Sequence, residues 1–544
     1  MKNHSLYLVL LYAVGLLACS EGARPVADAA GTELSATGQI TYQNPVLPGD
    51  FADPSVVRVG DDYWATATSS EWAPLFPLLH STNLVDWEIR GHVFPDRLPD
   101  WAEAHFWAPE IEYEEGTYYI YYTAKKKGGN LCVGVASATN PAGPYTDLGP
   151  LVCQEVGSID GFAIRDDKGD LYLIWKEDGN SRGLPTPMWG QRMNGARTEL
   201  LGQPFELFRN EPGSWEGGLV EGAYILRRGE YYYCFYSGDA CCGRSCTYGV
   251  GVARSKSLRG PWEKHSANPI MKQNEDWRCA GHGSVVTDPQ GEHYFLYHAY
   301  STRGGVYTGR EGLLDKIYWG ADGWPYFVEG APSTSAQAPH GQNAPDQLAV
   351  QEDFSETSLQ KGWQWPVARS AAFYTLSASG QEGQLVLQAQ PDQLGNLLAQ
   401  RTTAPAYTVT TSVDKSRLQQ GVQAGLAAIG DQENALGISA GAETILAWRV
   451  VAGKQETVAQ ASSPAQGQIQ LRLVAEQGNR MALSWSTDGA NWQALTNEPL
   501  DASYLPPWDR AVRVGLTAKG PAGSTVAFNW FRYEPTPQTT RPQH

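Results

Sequence analysis

Hydrophobic and polar positions recur in one order five times along the first 330 residues. DPSVVRVGDDYWATAT begins at Asp53, APEIEYEEGTYYIYYT at Ala108, DGFAIRDDKGDLYLIW at Asp160, EGAYILRRGEYYYCFY at Glu221 and HGSVVTDPQGEHYFLYH at His282. Each runs from an apolar strand through a short charged or glycine turn to a strand crowded with aromatics, the pattern of a β-hairpin. Successive starts lie 55, 52, 61 and 61 residues apart, close to the roughly 40–60-residue repeat of four-stranded propeller blades. STNLVDWE from Ser81, ATNPAGPY from Ala138 and SKSLRGPW from Ser255 each follow a hairpin and end on an aromatic, as the outer part of a blade would. These patterns predict a five-bladed β-propeller over residues 39–330. The shared start, turn and tyrosine positions argue against chance similarity within a β-sandwich.

Residues 331–350, rich in Pro, Ser and Gln, read as a linker. Beyond them GQLVLQAQ, YTVTTSV, QIQLRLVAE, MALSWSTDG and VAFNWFRYE alternate with period two, which predicts half-buried antiparallel strands and a two-sheet sandwich over 351–535. Residues 536–544 read as a frayed tail. The fold class is therefore all-β.

Composition agrees. Charged residues make up only 18% of the 544, against 58 Gly, 34 Pro, 19 Trp and 27 Tyr, as in proteins of short strands and many turns. The formal net charge of −17 argues against nucleic acid as a partner, which needs a basic footprint, and favours a neutral substrate over an anionic polymer. At the N-terminus Lys2 and His4 precede an apolar run, Leu6–Ala18, too short to span a bilayer as a helix. It ends Leu16-Leu17-Ala18-Cys19, which resembles a bacterial lipoprotein signal, the lipid carried by Cys19. Residues 1–19 are thus read as signal and lipid-attachment site and 20–38 as a tether. The expectation is an exported lipoprotein on the cell envelope (outer membrane or periplasm), touching membrane only through that anchor; ordinary signal cleavage is the alternative. Seven further cysteines leave at least one unpaired within the chain. CCGRSC lacks the two separated CxxC pairs of a zinc site, so disulfides bracing a loop are expected.

The innermost strand of every blade lines the propeller axis, so Asp53, Ala108, Asp160, Glu221 and His282 converge. Three carboxylates and a histidine around one cavity have no structural purpose, since buried acids repel and are costly unless paired or catalytic. Facing carboxylates are the equipment of glycoside hydrolysis: one protonated to feed the leaving oxygen, one ionised to activate water or attack the sugar.

The ordered set NPVLPGDFADPSVV, HFWAPEI, SIDGFAI, LVEGAYI and AGHGSVV resembles glycoside hydrolase family 43, five-bladed propeller enzymes acting on arabinose- and xylose-containing plant polymers. The resemblance implies that Asp53 is the general base, Glu221 the general acid and Asp160 a pKa modulator that orients the acid. It implies inversion, with base and acid roughly 6.5–9.5 Å apart. It places His282 at the propeller centre, near a calcium ion held largely through water, with no cofactor required for the chemistry. Trp107 and Arg310 match positions that shape the sugar pocket, and Trp72 and Phe51 are further candidates for subsite walls. The chain departs from the family at Ala280, where Pro is usual, and in the loop GDACCGRSC. The second domain, through SWSTDGANW and FNWFRY, resembles the concanavalin-like (jelly-roll) sandwiches appended to some members, which bind glycan, close one side of the pocket or brace the fold.

The expected activity is exo-removal of terminal α-L-arabinofuranosyl residues from arabinan, arabinoxylan or arabinogalactan side chains. A β-xylosidase is the near alternative and an endo-arabinanase a weaker one. A non-catalytic glycan-binding lipoprotein is a different class of answer. A retaining fructan-type propeller hydrolase would usually carry Asn where Ala52 stands.

Overall fold

The computed structural model describes residues 41–337, 348–369, 373–379 and 382–536. The signal and lipid-attachment reading (1–19), the tether (20–38), the middle of the linker and the tail beyond 536 lie outside the described residues.

Residues 55–326 form five consecutive four-stranded antiparallel sheets, each with its strands in chain order. Their first strands are Ser55–Val59, Ala102–Glu114, Ser158–Arg165, Val220–Arg228 and Trp277–Thr287. Each lies against the next, and the fifth lies against the first, so the sheets close into a ring of five blades. The predicted turns sit where the pattern put them: Glu115 and Gly116, at φ 47° and 85°, join Glu114 to Thr117, the left-handed pair a two-residue hairpin requires.

The tyrosine-rich strands are apolar on both faces because each blade is sandwiched between neighbours. In Tyr231–Gly238, Tyr232, Cys234 and Tyr236 pack towards Phe162 and Ile174 of the third blade. Tyr233 and Phe235 alternate with them and pack against Phe295 and Trp277 of the fifth.

The ring is fastened by its own ends. Thr41–Gln43 pairs with Ser335–Gln337, and Asn44 exchanges two hydrogen bonds with the Leu314 backbone, at 3.1 and 2.9 Å. The start of the predicted linker is thus a strand of this clasp.

The C-terminal region is the expected sandwich. A nine-stranded sheet, including Tyr407–Asp414, Gln468–Glu476 and Thr525–Pro535, faces a six-stranded one, including Asn396–Arg401, Gln423–Ile429 and Arg513–Lys519. Val409, Leu471 and Leu473 pack onto Leu426, Ile438 and Leu516 between them. The sandwich docks on the propeller through pairing of Trp365–Pro366 with Trp72–Ala73, through the buried Arg513–Asp50 ion pair and through Arg401, which donates to the Asp50 backbone carbonyl.

Six cysteines form Cys132–Cys153, Cys241–Cys242 and Cys246–Cys279, and Cys234 is free and buried in a blade. The CCGRSC cysteines are therefore spent on disulfides, as expected of a braced loop.

Candidate active site

The five equivalent positions meet at one end of the axis because each inner strand is bent there. Asp53, Ala108, Asp160 and His282 all take positive φ, 49°, 43°, 59° and 39°, a conformation that costs a non-glycine residue about 1–2 kcal/mol. Register shifts at Ile159/Phe162, Glu221/Tyr224 and Gly281/Gly283 mark the same bends as bulges. Bulges re-aim side chains, and here they turn the carboxylates into a cavity of about 450 Å³ lined by Asp53, Asp160, Glu221, His282, Trp107 and Arg310. The fourth blade differs by one residue: Gly222, not Glu221, takes the positive φ of 62°. Its missing side chain makes room for the His282 ring, whose Cγ would lie 2.8 Å from a Cβ there.

Each acid has its own surroundings. Asp53 accepts from Arg310 Nη1 at 2.9 Å and from the Thr68 hydroxyl at 2.7 Å. Its amide donates to His298 Nδ1 at 3.1 Å. Burial raises the Asp53 pKa, but Arg310, His282 and His298 outweigh it and hold the carboxyl well below the usual range. Burial pushes His298 down to about 4, so its imidazole is neutral at pH 7.

Asp160 accepts from the Gly222 amide at 3.0 Å, and His282 Nδ1 lies 3.9 Å from it and 3.5 Å from Asp53. Burial, with the Glu221 and Asp53 charges, pushes Asp160 up to about 6 despite His282 and Lys176.

Glu221 accepts from Lys176 Nζ at 2.6 Å and the Tyr248 hydroxyl at 2.8 Å. Burial raises its pKa, but Lys176 in particular, with Tyr248 and His282, lowers it. Asp53 and Glu221 are thus the acids held ionised, and below about pH 6 the remaining proton of the Asp160–Glu221 pair sits on Asp160.

Trp107 lines the cavity, its indole N–H without a partner among the described residues. Trp508 of the sandwich, 60% exposed, meets it edge-to-face at 6.0 Å between centroids, and Asp509 accepts from Arg310 Nη2 through its backbone carbonyl at 3.0 Å. Arg310 therefore joins Asp53 to the second domain.

Two expected walls are elsewhere. Trp72 is buried against Leu397, Ala399 and Ile429 of the sandwich, and Phe51 sits in a blade core under the Arg401 guanidinium. Both are apolar surface that the domain junction removes from water, and neither lines the cavity. Among the described residues no group of three or more His, Cys, Asp or Glu is placed to ligate a metal directly, so a calcium ion near His282 would have to be held largely through water, as the resemblance implies.

Sequence reasoning missed Lys176, Tyr248, Thr68, His298, Trp508 and Asp509. Lys176, the lone cation in the apolar strand LYLIWKE, carried a signal. Trp508, in a different domain, carried none.

Residues 42–325 match the family model for glycosyl hydrolases family 43. The chain belongs to that family. Residues 351–534 match the β-xylosidase C-terminal concanavalin A-like domain. Among family relatives, a xylan 1,3-β-xylosidase from a Vibrio species is 30% identical over 338 residues, 55% of this chain but only 60% of that protein's own length. A non-reducing end α-L-arabinofuranosidase from Bacteroides ovatus is 27% identical over 421 residues, 73% of this chain and 75% of the relative. A family 43 crystal structure from Bacillus licheniformis superposes with a TM-score of 0.79 at 26% identity, covering 91% of this chain and all of that one.

Proposed function

We propose that the protein is an inverting exo-glycoside hydrolase that removes terminal α-L-arabinofuranosyl residues from plant cell-wall glycans. The observation that carries this reading is the pocket: three buried carboxylates of divergent proton affinity lie in a cavity that Trp508 of the sandwich helps to wall. A walled pocket admits a chain end and obstructs a chain threading through.

Asp53 is the base. Its ionised carboxylate, fixed by Arg310 and Thr68, takes a proton from the water that attacks the anomeric carbon. The leaving oxygen takes its proton from the Asp160–Glu221 pair. We assign delivery to Glu221, with Asp160 supplying the like charge that raises proton affinity as the sugar excludes water. Delivery by Asp160 itself is the second reading, favoured by the Lys176–Glu221 ion pair. Glu221→Gln and Asp160→Asn separate the two. The variant lacking the true acid loses about 10²–10⁴-fold on oligosaccharides and far less on aryl glycosides with activated leaving groups.

A β-xylosidase is the alternative activity, supported by the name of the matched C-terminal domain and of the Vibrio relative. Release of arabinose or xylose from nitrophenyl glycosides, arabinan, arabinoxylan and xylan decides between them, and no release of either sugar overturns the enzyme reading. NMR of the first-formed anomer tests inversion. The N-terminal pattern supports a lipid anchor on the envelope, tested by palmitate labelling of the full chain against Cys19→Ala.

A further inference from the structure

We propose that the Cys241–Cys242 disulfide is a substrate-binding surface, a sulfur platform against which the leaving-group sugar lays its apolar face. The inference rests on the glycosidase reading of the same cavity. Both cysteines line that cavity and are partly exposed to it. Two adjacent half-cystines joined to each other close a small uncharged ring whose only strong hydrogen-bonding groups are those of the peptide unit between them, on the side away from the sulfurs. Its polarizable sulfurs suit a C–H-rich sugar face as an aromatic ring does.

Its position assigns it to the leaving group. Cys241 packs against the apolar cluster that includes Tyr248 and Leu219, the latter two residues before Glu221. Tyr248, which ends the same loop, donates to Glu221 Oε1 at 2.8 Å. The acid protonates the oxygen between the departing sugar and the terminal one, so the wall beside the acid faces the departing sugar.

The loop is built to hold this ring still. Cys246–Cys279 ties its far end to the fifth inner strand. The Gly243 amide donates to the Tyr300 hydroxyl at 3.1 Å. Arg244 donates to the Ser503 carbonyl of the sandwich at 2.5 Å, and a Cβ on Gly243 would lie 3.4 Å from the Trp508 carbonyl oxygen. The ring and Trp508 are thus neighbouring parts of one rigid wall, and rigid apolar walls bind at low entropic cost.

The test compares wild type with Cys241→Ser/Cys242→Ser on two substrates sharing the terminal sugar, an oligosaccharide and the corresponding glycosyl fluoride, whose leaving group cannot reach the wall. The loss in kcat/KM on the oligosaccharide is expected to exceed that on the fluoride by about tenfold, the factor that ~1.4 kcal/mol represents, and to lie mainly in KM. Calorimetric titration of arabino- and xylo-oligosaccharides, which needs no turnover, is expected to give about tenfold weaker binding to the variant. Equal losses on both substrates, or equal binding, would make the disulfide a brace and overturn the proposal. Absence of turnover by wild type would count against the glycosidase reading, and the titration would still decide the platform. A melting curve checks that the variant folds. If it does not, wild type reduced until mass mapping shows only the 241–242 bond opened supplies the same comparison.

Discussion

Proton affinity in the pocket is set by which cation each carboxylate touches, and this fixes a pH dependence. Asp53, held low by Arg310, His282 and His298, is in its working form throughout and above the usual carboxylate range. The group that must be protonated belongs to the Asp160–Glu221 pair, where the last proton to leave has a pKa of about 6. Activity should therefore hold on the acid side and decline as pH rises through about 6. A profile falling on the acid side, near pH 4–5, would contradict this ordering. Asp160→Asn removes a like charge beside Glu221, so the alkaline decline should move to lower pH; an unmoved limb denies Asp160 its role. Lys176→Met removes the contact cation that holds Glu221 down and should move the limb upward by about 1–3 pH units, the usual influence of an opposite charge at this range. The three acids were legible in the sequence because they share one repeat position. Lys176, Tyr248 and His298 were not, because each occurs once and acquires its meaning only from where the fold puts its end atoms.

The inner strands aim these side chains through bends rather than regular pleat, and the bends store strain. Four of the five bent positions carry residues with a Cβ at positive φ, which persists only where the surroundings over-determine it. The fifth is Gly222, whose amide also donates to Asp160 at 3.0 Å. Gly222→Ala adds a methyl that would meet His282 Cγ at 2.8 Å and a left-handed penalty of about 1–2 kcal/mol. The His282 ring must shift, and with it Asp53 and Asp160. The expected result is a kcat lower by about 10²-fold with a melting temperature reduced by only a few degrees. Wild-type kcat would show that the bend does not position the acids. The repeated hairpins were legible because apolar, turn and aromatic positions recur with one spacing. The one-residue offset in the fourth blade was not, since Glu221 aligns with the other starts and only backbone angles distinguish it. Trp72 and Phe51 were misplaced because exposed and interface-buried aromatics look alike in a string of letters.

The two β units act as one body because their junction buries charge. Asp50 of the propeller, 5% exposed, accepts from Arg513 Nη2 at 3.0 Å and from the Ala511 amide at 3.1 Å, both on the sandwich. It also accepts from the Arg310 amide at 3.3 Å. One carboxylate thus anchors both the segment that carries Trp508 and Asp509 and the arginine that holds the base. Arg513→Met leaves Asp50 buried without its contact cation, a change that costs about 3–5 kcal/mol. The sign of its pH dependence follows from Asp50, whose pKa burial raises but Arg513 and Arg310 bring below the ordinary 3.8. A depressed carboxyl contributes stability that is present above that ordinary value and lost as pH falls through the lowered one. The gap between variant and wild type should accordingly be full at pH 7 and narrow as pH falls below 3.8, measured by denaturant unfolding at both ends. The same variant should raise KM for oligosaccharides, because a loosened 509–513 segment no longer fixes Trp508 against Trp107. Unchanged stability at pH 7 would mean the junction is held by apolar contact alone. An unchanged KM beside a lowered stability would mean that the sandwich braces the propeller without shaping its pocket.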